Sequence, residues 1–186
     1  MRDRFILLVI LLGSFLNAHA AEIGSVSMPD LLETEKGVLI LNGTGIRTKF
    51  SLSVYVAGLY LLHKNVNPEE IIAADEPMAI RLHVVSAMIT SDIMSQATRE
   101  GFSKATDGNI TPIQPEIDTF ITIFSDKINK NDVYDLVYIP AKGVTAYKNN
   151  KPHMVTTGLR FKQALFGIWL CDNPVQQGLK KALLGR

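Results

Sequence analysis

Arg47 and Tyr55 are the residues whose types and setting could do chemistry. Arg47 follows the glycine-rich run Asn42-Gly43-Thr44-Gly45 and precedes a stretch built of apolar and small residues. Tyr55 lies within that stretch. A guanidinium can hold a carboxylate or an enolate oxygen bidentately, and a phenol can donate a third hydrogen bond to the same oxygen. Positions 47 and 55 have the same parity, so on one unbroken strand they share a face. At roughly 3.3 Å per residue they would also stand about 26 Å apart. They meet at one ligand only if the chain bends between them, for example at Thr48-Lys49. Pattern alone favours an exposed arginine and an interfacial tyrosine.

Other constellations are absent. No glycine-rich phosphate loop occurs, because Gly43, Gly45 and Gly58 lack a following helix. There is no G-x-S-x-G elbow. His63, His83 and His153 are scattered without metal spacing, and acidic pairs such as Glu69-Glu70 read as solvated turns. One cysteine, Cys171, allows no internal disulfide and reads as a small buried hydrophobe. No metal or organic cofactor is indicated.

The elements that must position Arg47 and Tyr55 follow from periodicity. Gly37–Asn42 reads as a strand, with a turn or bulge at Asn42-Gly43. Phe50–Leu62 reads as a second strand, with an apolar even face and a mixed odd face that carries Tyr55. Asn67–Ala74 is a short helical turn and Met78–Val85 a further strand. Ser91 is expected to cap a helix whose face holds Ile93, Met94, Ala97, Gly101 and Phe102. Asp107-Gly108-Asn109 breaks it. A second helix after Thr111-Pro112 repeats Ile and Phe at spacings of three and four, with Pro115 in its first turn. Strands return at Asp132–Ile139, Val144–Lys148 and His153–Thr156, the last two joined by a turn at Asn149-Asn150-Lys151. Leu159–Leu170 and Pro174–Leu184 close the chain as helices. This order gives an α+β fold, with helices covering one face of an antiparallel sheet.

The N-terminus reads as an export signal. Met1–Arg4 is charged, Phe5–Leu16 is apolar but shorter than the roughly 20 residues of a bilayer span, and Ala18-His19-Ala20 is a small-x-small cleavage pattern. Cleavage after Ala20 would leave residues 21–186 as one domain, periplasmic or secreted, with no stable membrane anchor. The 186 residues carry 19 basic and 18 acidic side chains. The signal segment removes Arg2, Arg4 and Asp3 from these totals, leaving 17 of each. That neutrality argues against nucleic acid as a partner. With 47% hydrophobic and 20% charged residues, the chain is also not of the disordered class.

Leu41-Asn42-Gly43-Thr44-Gly45-Ile46-Arg47 and Val54-Tyr55-Val56-Ala57-Gly58-Leu59-Tyr60-Leu61 resemble the chalcone isomerase-like family, and most closely its bacterial secreted branch. Gly158–Pro174 (GLRFKQALFGIWLCDNP) resembles the same branch. The resemblance runs from about residue 26 to the C-terminus. It implies an open-faced β-sandwich, a large curved antiparallel sheet with a helical layer packed on it. The family contains plant enzymes that close a flavonoid ring and a sister group that binds fatty acids in the same cleft through an arginine and a tyrosine. The shared arginine matches Arg47. Tyr55 falls where the isomerases carry a threonine and has the residue type of the fatty-acid binders. The isomerases also need a tyrosine, a lysine and an asparagine at the start of the first long helix. Ile89–Gln96 here (ITSDIMSQ) offers no tyrosine or lysine, and places an aspartate where a cation is expected.

Three readings follow. The leading one is a non-catalytic exported binder of a small amphipathic or acidic ligand such as a fatty acid, anchored by Arg47 with Tyr55 assisting. Apolar positions such as Met88, Met94 and Phe102 would complete its pocket. The second is an isomerase or intramolecular lyase with Arg47 as electrophile. The third is an interaction protein without a ligand.

Overall fold

The computed structural model describes residues 20–23, 26–156 and 158–186. The expected signal segment lies outside these residues, except for Ala20, which opens the first strand. The chain begins with a separate two-stranded hairpin, β1 (Ala20–Ile23) and β2 (Val26–Pro29). A seven-stranded antiparallel meander follows, in the order β3 (Leu31–Thr34), β4 (Gly37–Lys49), β5 (Leu52–Leu61), β6 (Met78–Val84), β7 (Val133–Ile139), β8 (Gly143–Lys148) and β9 (Lys151–Thr156). Short helix α1 (Pro68–Ala73) joins β5 to β6. The long β6–β7 connection carries α2 (Ser91–Ala105) and α3 (Gln114–Ile121). Two C-terminal helices, α4 (Leu159–Leu170) and α5 (Gln177–Leu183), complete the helical layer.

Both faces of the sheet are covered. On the helical side, Tyr55, Ala57, Leu59 and Leu61 of β5 join one apolar core with Phe102, Phe120, Phe161 and Trp169. On the other side, Val56 and Tyr60 join a second core with Met28, Leu39 and Val137. The mixed odd face of β5 is thus the one turned to the helices. Burial on both faces removes the simple contrast between an inside and an outside. No strand before Gly37 was expected, because β2 and β3 are four residues each and too short for alternation to register.

Several boundaries differ from expectation. Of the turn or bulge expected at Asn42-Gly43 the structure has the bulge, between Leu41 and Gly43, so β4 does not end at Asn42 but runs on to Lys49. The chain reverses at Phe50-Ser51, which leaves Phe50 in a turn and not in a strand. Thr90, not Ser91, caps α2: its side chain accepts from the Ile93 amide at 3.3 Å, while Ser91 Oγ donates to the Asp126 carbonyl. Pro174 precedes α5 instead of opening it, and Gln176 is extended. Cys171 is only half-buried, at the C-terminal end of α4.

Gly43 and Gly45 serve packing rather than phosphate binding. A Cβ at Gly43 would lie 2.2 Å from the Ala182 carbonyl oxygen, and one at Gly45 would lie 2.7 Å from Ala182 Cβ. Their bare backbone is the surface on which α5 rests. Asn42 fastens that contact, donating from Nδ2 to the carbonyls of Leu183 and Asn65, both at 2.9 Å.

Candidate functional site

The β4–β5 hairpin pairs Arg47 with Tyr55. The bend that the two residues require is the Phe50-Ser51 turn, helped by a register shift between Arg47 and Thr48. The expected bend at Thr48-Lys49 is therefore displaced toward the hairpin tip. Phe and Ser are unsuited to the left-handed backbone that both adopt in this turn, which is why the sequence hid it.

Both side chains line one cavity of about 100 Å³ between the sheet and α2–α4. Val54, Leu82, Phe120, Phe124, Leu136 and Ile168 form much of its wall, and Lys49, Glu100 and Lys104 also contribute. Arg47 is half-exposed; its Nη1 donates to Gln176 Oε1 at 3.0 Å and to the Thr48 carbonyl. Gln176 Oε1 also accepts from the Thr48 amide at 2.9 Å, so the extended segment before α5 holds the arginine in place.

Tyr55 is buried, and its hydroxyl accepts from Trp169 Nε1 at 3.0 Å. Burial pushes the phenol up, while the indole hydrogen bond and the Arg47 charge pull it back to a lesser extent. Tyr55 is thus a neutral phenol whose own proton has no acceptor among the described hydrogen bonds. The arrangement offers a cation, a phenolic donor and an apolar body, which is the chemistry of an anionic head and a greasy tail.

Of the other expected pocket residues, only Met94 lines this cavity. Met88 is 67% exposed, and Phe102 is buried in an aromatic cluster with Phe120 and Phe161. From the start of α2 the cavity receives Ile89, Ile93 and Met94, all apolar. Trp169 and Gln176 were not anticipated. A lone tryptophan in an apolar helix was the available signal, since a buried indole N–H needs an acceptor. Among the described residues, no group of three His, Cys, Asp or Glu is placed to hold a metal.

A family model described as chalcone isomerase-like matches residues 20–185. The chain belongs to the chalcone isomerase-like family. A crystal structure of a fatty-acid binding protein from Arabidopsis thaliana is similar, with a TM-score of 0.66 and 16% identity over 86% of this chain and 92% of that one. At that identity the likeness shows the fold: a large curled antiparallel sheet with helices. No curated protein matches by sequence.

Proposed function

We propose that the chain is a non-catalytic binder of a small amphipathic carboxylate, a fatty acid being the leading case. Arg47 takes the carboxylate, and Tyr55 donates its free phenolic proton to the same group. The observation that carries this reading is the cavity itself: one guanidinium and one neutral phenol beside a wall that is otherwise largely apolar. The similar fold of the Arabidopsis thaliana fatty-acid binding protein supports it. The tyrosine and lysine that the isomerases carry at the start of their first long helix have no counterpart at the start of α2, which gives the cavity Ile93 and Met94; its cations, Arg47, Lys49 and Lys104, come from β4 and the far end of α2.

About 100 Å³ is below the roughly 300–1,000 Å³ of ordinary ligand pockets. The present cavity admits a carboxyl head and a short chain. A longer acyl tail requires α2, which supplies Ile93, Met94, Ala97 and Gly101 to the wall, to move away from the sheet. The small volume is also the observation that favours the third reading, an interaction protein with a filled core.

We further assign residues 1–20 as a cleaved export signal and residues 21–186 as the mature domain. No described helix is long and apolar enough to cross a membrane. Cell fractionation and N-terminal sequencing test the assignment; a mature chain still beginning at Met1 in the cytoplasm overturns it.

The binding reading is tested by purifying residues 21–186, extracting with organic solvent and identifying released lipid by mass spectrometry. Calorimetric titration with laurate follows. Stoichiometric fatty acid, largely lost in Arg47→Ala, is the expected result. A lipid-free protein that takes up no laurate leaves the interaction protein standing.

A further inference from the structure

The face of the sheet turned away from the helices carries polar groups that its apolar core does not need. Strand register places Arg81 opposite Asp135, and Asp135 opposite Tyr147. Those three side chains form one polar rung across β6, β7 and β8. The neighbouring rung is Ala79, Val137 and Thr145. Arg81 Nε and Nη2 donate to the two carboxylate oxygens of Asp135 at 2.6 and 2.8 Å. Their side chains are 17% and 8% exposed. Thr145 is 5% exposed, and its hydroxyl has no hydrogen-bond partner.

These groups line a cleft of about 360 Å³, closed on one side by Leu32–Glu35 at and beyond the end of β3. That volume lies within the usual range for small-molecule sites, roughly 300–1,000 Å³, whereas the Arg47 cavity does not. A cross-strand ion pair can serve register alone. It then needs no open cleft above it.

The chemistry of the cleft narrows its ligand. Arg81 is neutralised by Asp135, and Lys142 by Glu35 at 2.7 Å. No uncommitted cation remains among the lining residues to select an anion. Arg81 Nη1, which makes no described hydrogen bond, is left to donate, while the Thr145 hydroxyl lies beneath the cleft floor. Asp135 and Glu33 can accept. Tyr147, half-buried at the end of the polar rung, offers a ring face. Fixed donors beside fixed acceptors suit adjacent hydroxyl groups, each of which gives one hydrogen bond and takes another.

We infer that this cleft is a second binding site, for a neutral polyhydroxylated ligand of the saccharide class. The ligand's hydroxyls bridge Arg81 and Asp135, and its less polar ring face lies on Tyr147. The site is separate from the Arg47 cavity and does not depend on the reading given for it.

The test is an amide chemical-shift titration of residues 21–186 with glucose, galactose, mannose and N-acetylglucosamine, with citrate as an anionic control. Saturable shifts for at least one sugar, centred on residues 81, 135, 145 and 147, are expected, with none for citrate. Tyr147→Leu should keep the fold and weaken that sugar about three- to tenfold, the range for one aromatic contact. No saturable shift with any sugar, shifts confined to the Arg47 side, or tighter binding of citrate overturns the proposal. The wild-type map decides it even if the variant does not fold.

Discussion

Arg47 and Tyr55 face each other across the β4–β5 hairpin, yet their polar ends are held by different parts of the chain. Gln176 holds the guanidinium and Trp169 the hydroxyl. The candidate site therefore joins a hairpin from the first third of the sequence to the segments that flank Cys171.

Removing the Tyr55 hydroxyl leaves the Trp169 indole N–H buried without its acceptor. Tyr55→Phe should destabilise the fold by about 1–3 kcal/mol. Urea denaturation followed by Trp169 fluorescence measures it directly. An unchanged midpoint would mean that the hydrogen bond contributes nothing.

Lys162 makes a second buried clamp. Its side chain is fully buried on α4, and Nζ donates to the carbonyls of Ile71, Ile72 and Ala74, at and just beyond the end of α1. Lys162→Met keeps the apolar stem but leaves those carbonyls unpaired. A loss of about 2–4 kcal/mol is expected from the orphaned acceptors. For a chain of this size that lowers Tm by roughly 4–16 °C.

Stability should vary with alkaline pH in two opposite ways. Burial raises the phenols of Tyr55, Tyr60 and Tyr134, and raises Tyr138 to about 12 with help from Asp75. Below pH 10 both folded and unfolded chains keep these protons and the contribution is complete. Above 10 the unfolded chain releases them first, so stability falls as pH rises. Lys162 acts in the other sense. Burial lowers it from 10.5 to about 8, against the pull of Asp75 and Glu76, so between these values the unfolded chain binds more protons and stability rises with pH. Denaturation midpoints taken from pH 7 to 11 should climb gently and then drop. In Lys162→Met the climb should vanish and the drop remain.

The hairpin tip is a place to gain stability. Phe50 and Ser51 both hold left-handed backbone, with φ of 49° and 64°, and Phe50 is 89% exposed. The β8–β9 turn has the same backbone signs with Asn149 and Asn150, residues suited to it. Phe50→Asn combined with Ser51→Gly should stabilise by about 0.5–2 kcal/mol. A lower Tm in the double variant would show that the Phe50 ring has a structural contact in solution.

Glycines on β4 and α5 should respond in opposite directions. Gly43→Ala drives a Cβ into the α5 backbone, and overpacking of this sort costs about 1–3 kcal/mol or more. Gly178 is helical, and a Cβ there meets nothing closer than 3.9 Å. Gly178→Ala should therefore gain up to about 1 kcal/mol from helix propensity. Thermal melts of the two single variants test the pair.

Periodicity was a good guide where one element makes its own pattern. Leu159–Leu170 has the expected bounds, and the Asn149-Asn150 turn lies where turn chemistry put it. It failed where a residue is decided by distant chain. Gln176 has no local signal for its contact with Arg47, which lies 129 positions away. Lys162 was legible in part, because it shares a helical stripe with Leu165, Phe166 and Trp169. A charge on such a stripe asks for carbonyl partners, but α1 supplies them from 88 to 91 positions away. Parity along one strand did not put Arg47 and Tyr55 together: the register shift between Arg47 and Thr48 pairs them across two strands, and the reversal lies in a turn made from unsuited residues.

The docking of α5 on bare β4 backbone has a consequence for the order in which the molecule assembles. The meander forms largely from neighbouring strands, whereas Asn42 must find Leu183 across 141 positions and Arg47 must find Gln176. Loop closure of that length is slow and comes late. Around Arg47, the mouth of the cavity is thus finished only when the last helix settles. By the same logic it is the first region to open when that helix frays, in a local unfolding step that leaves the rest of the sheet paired.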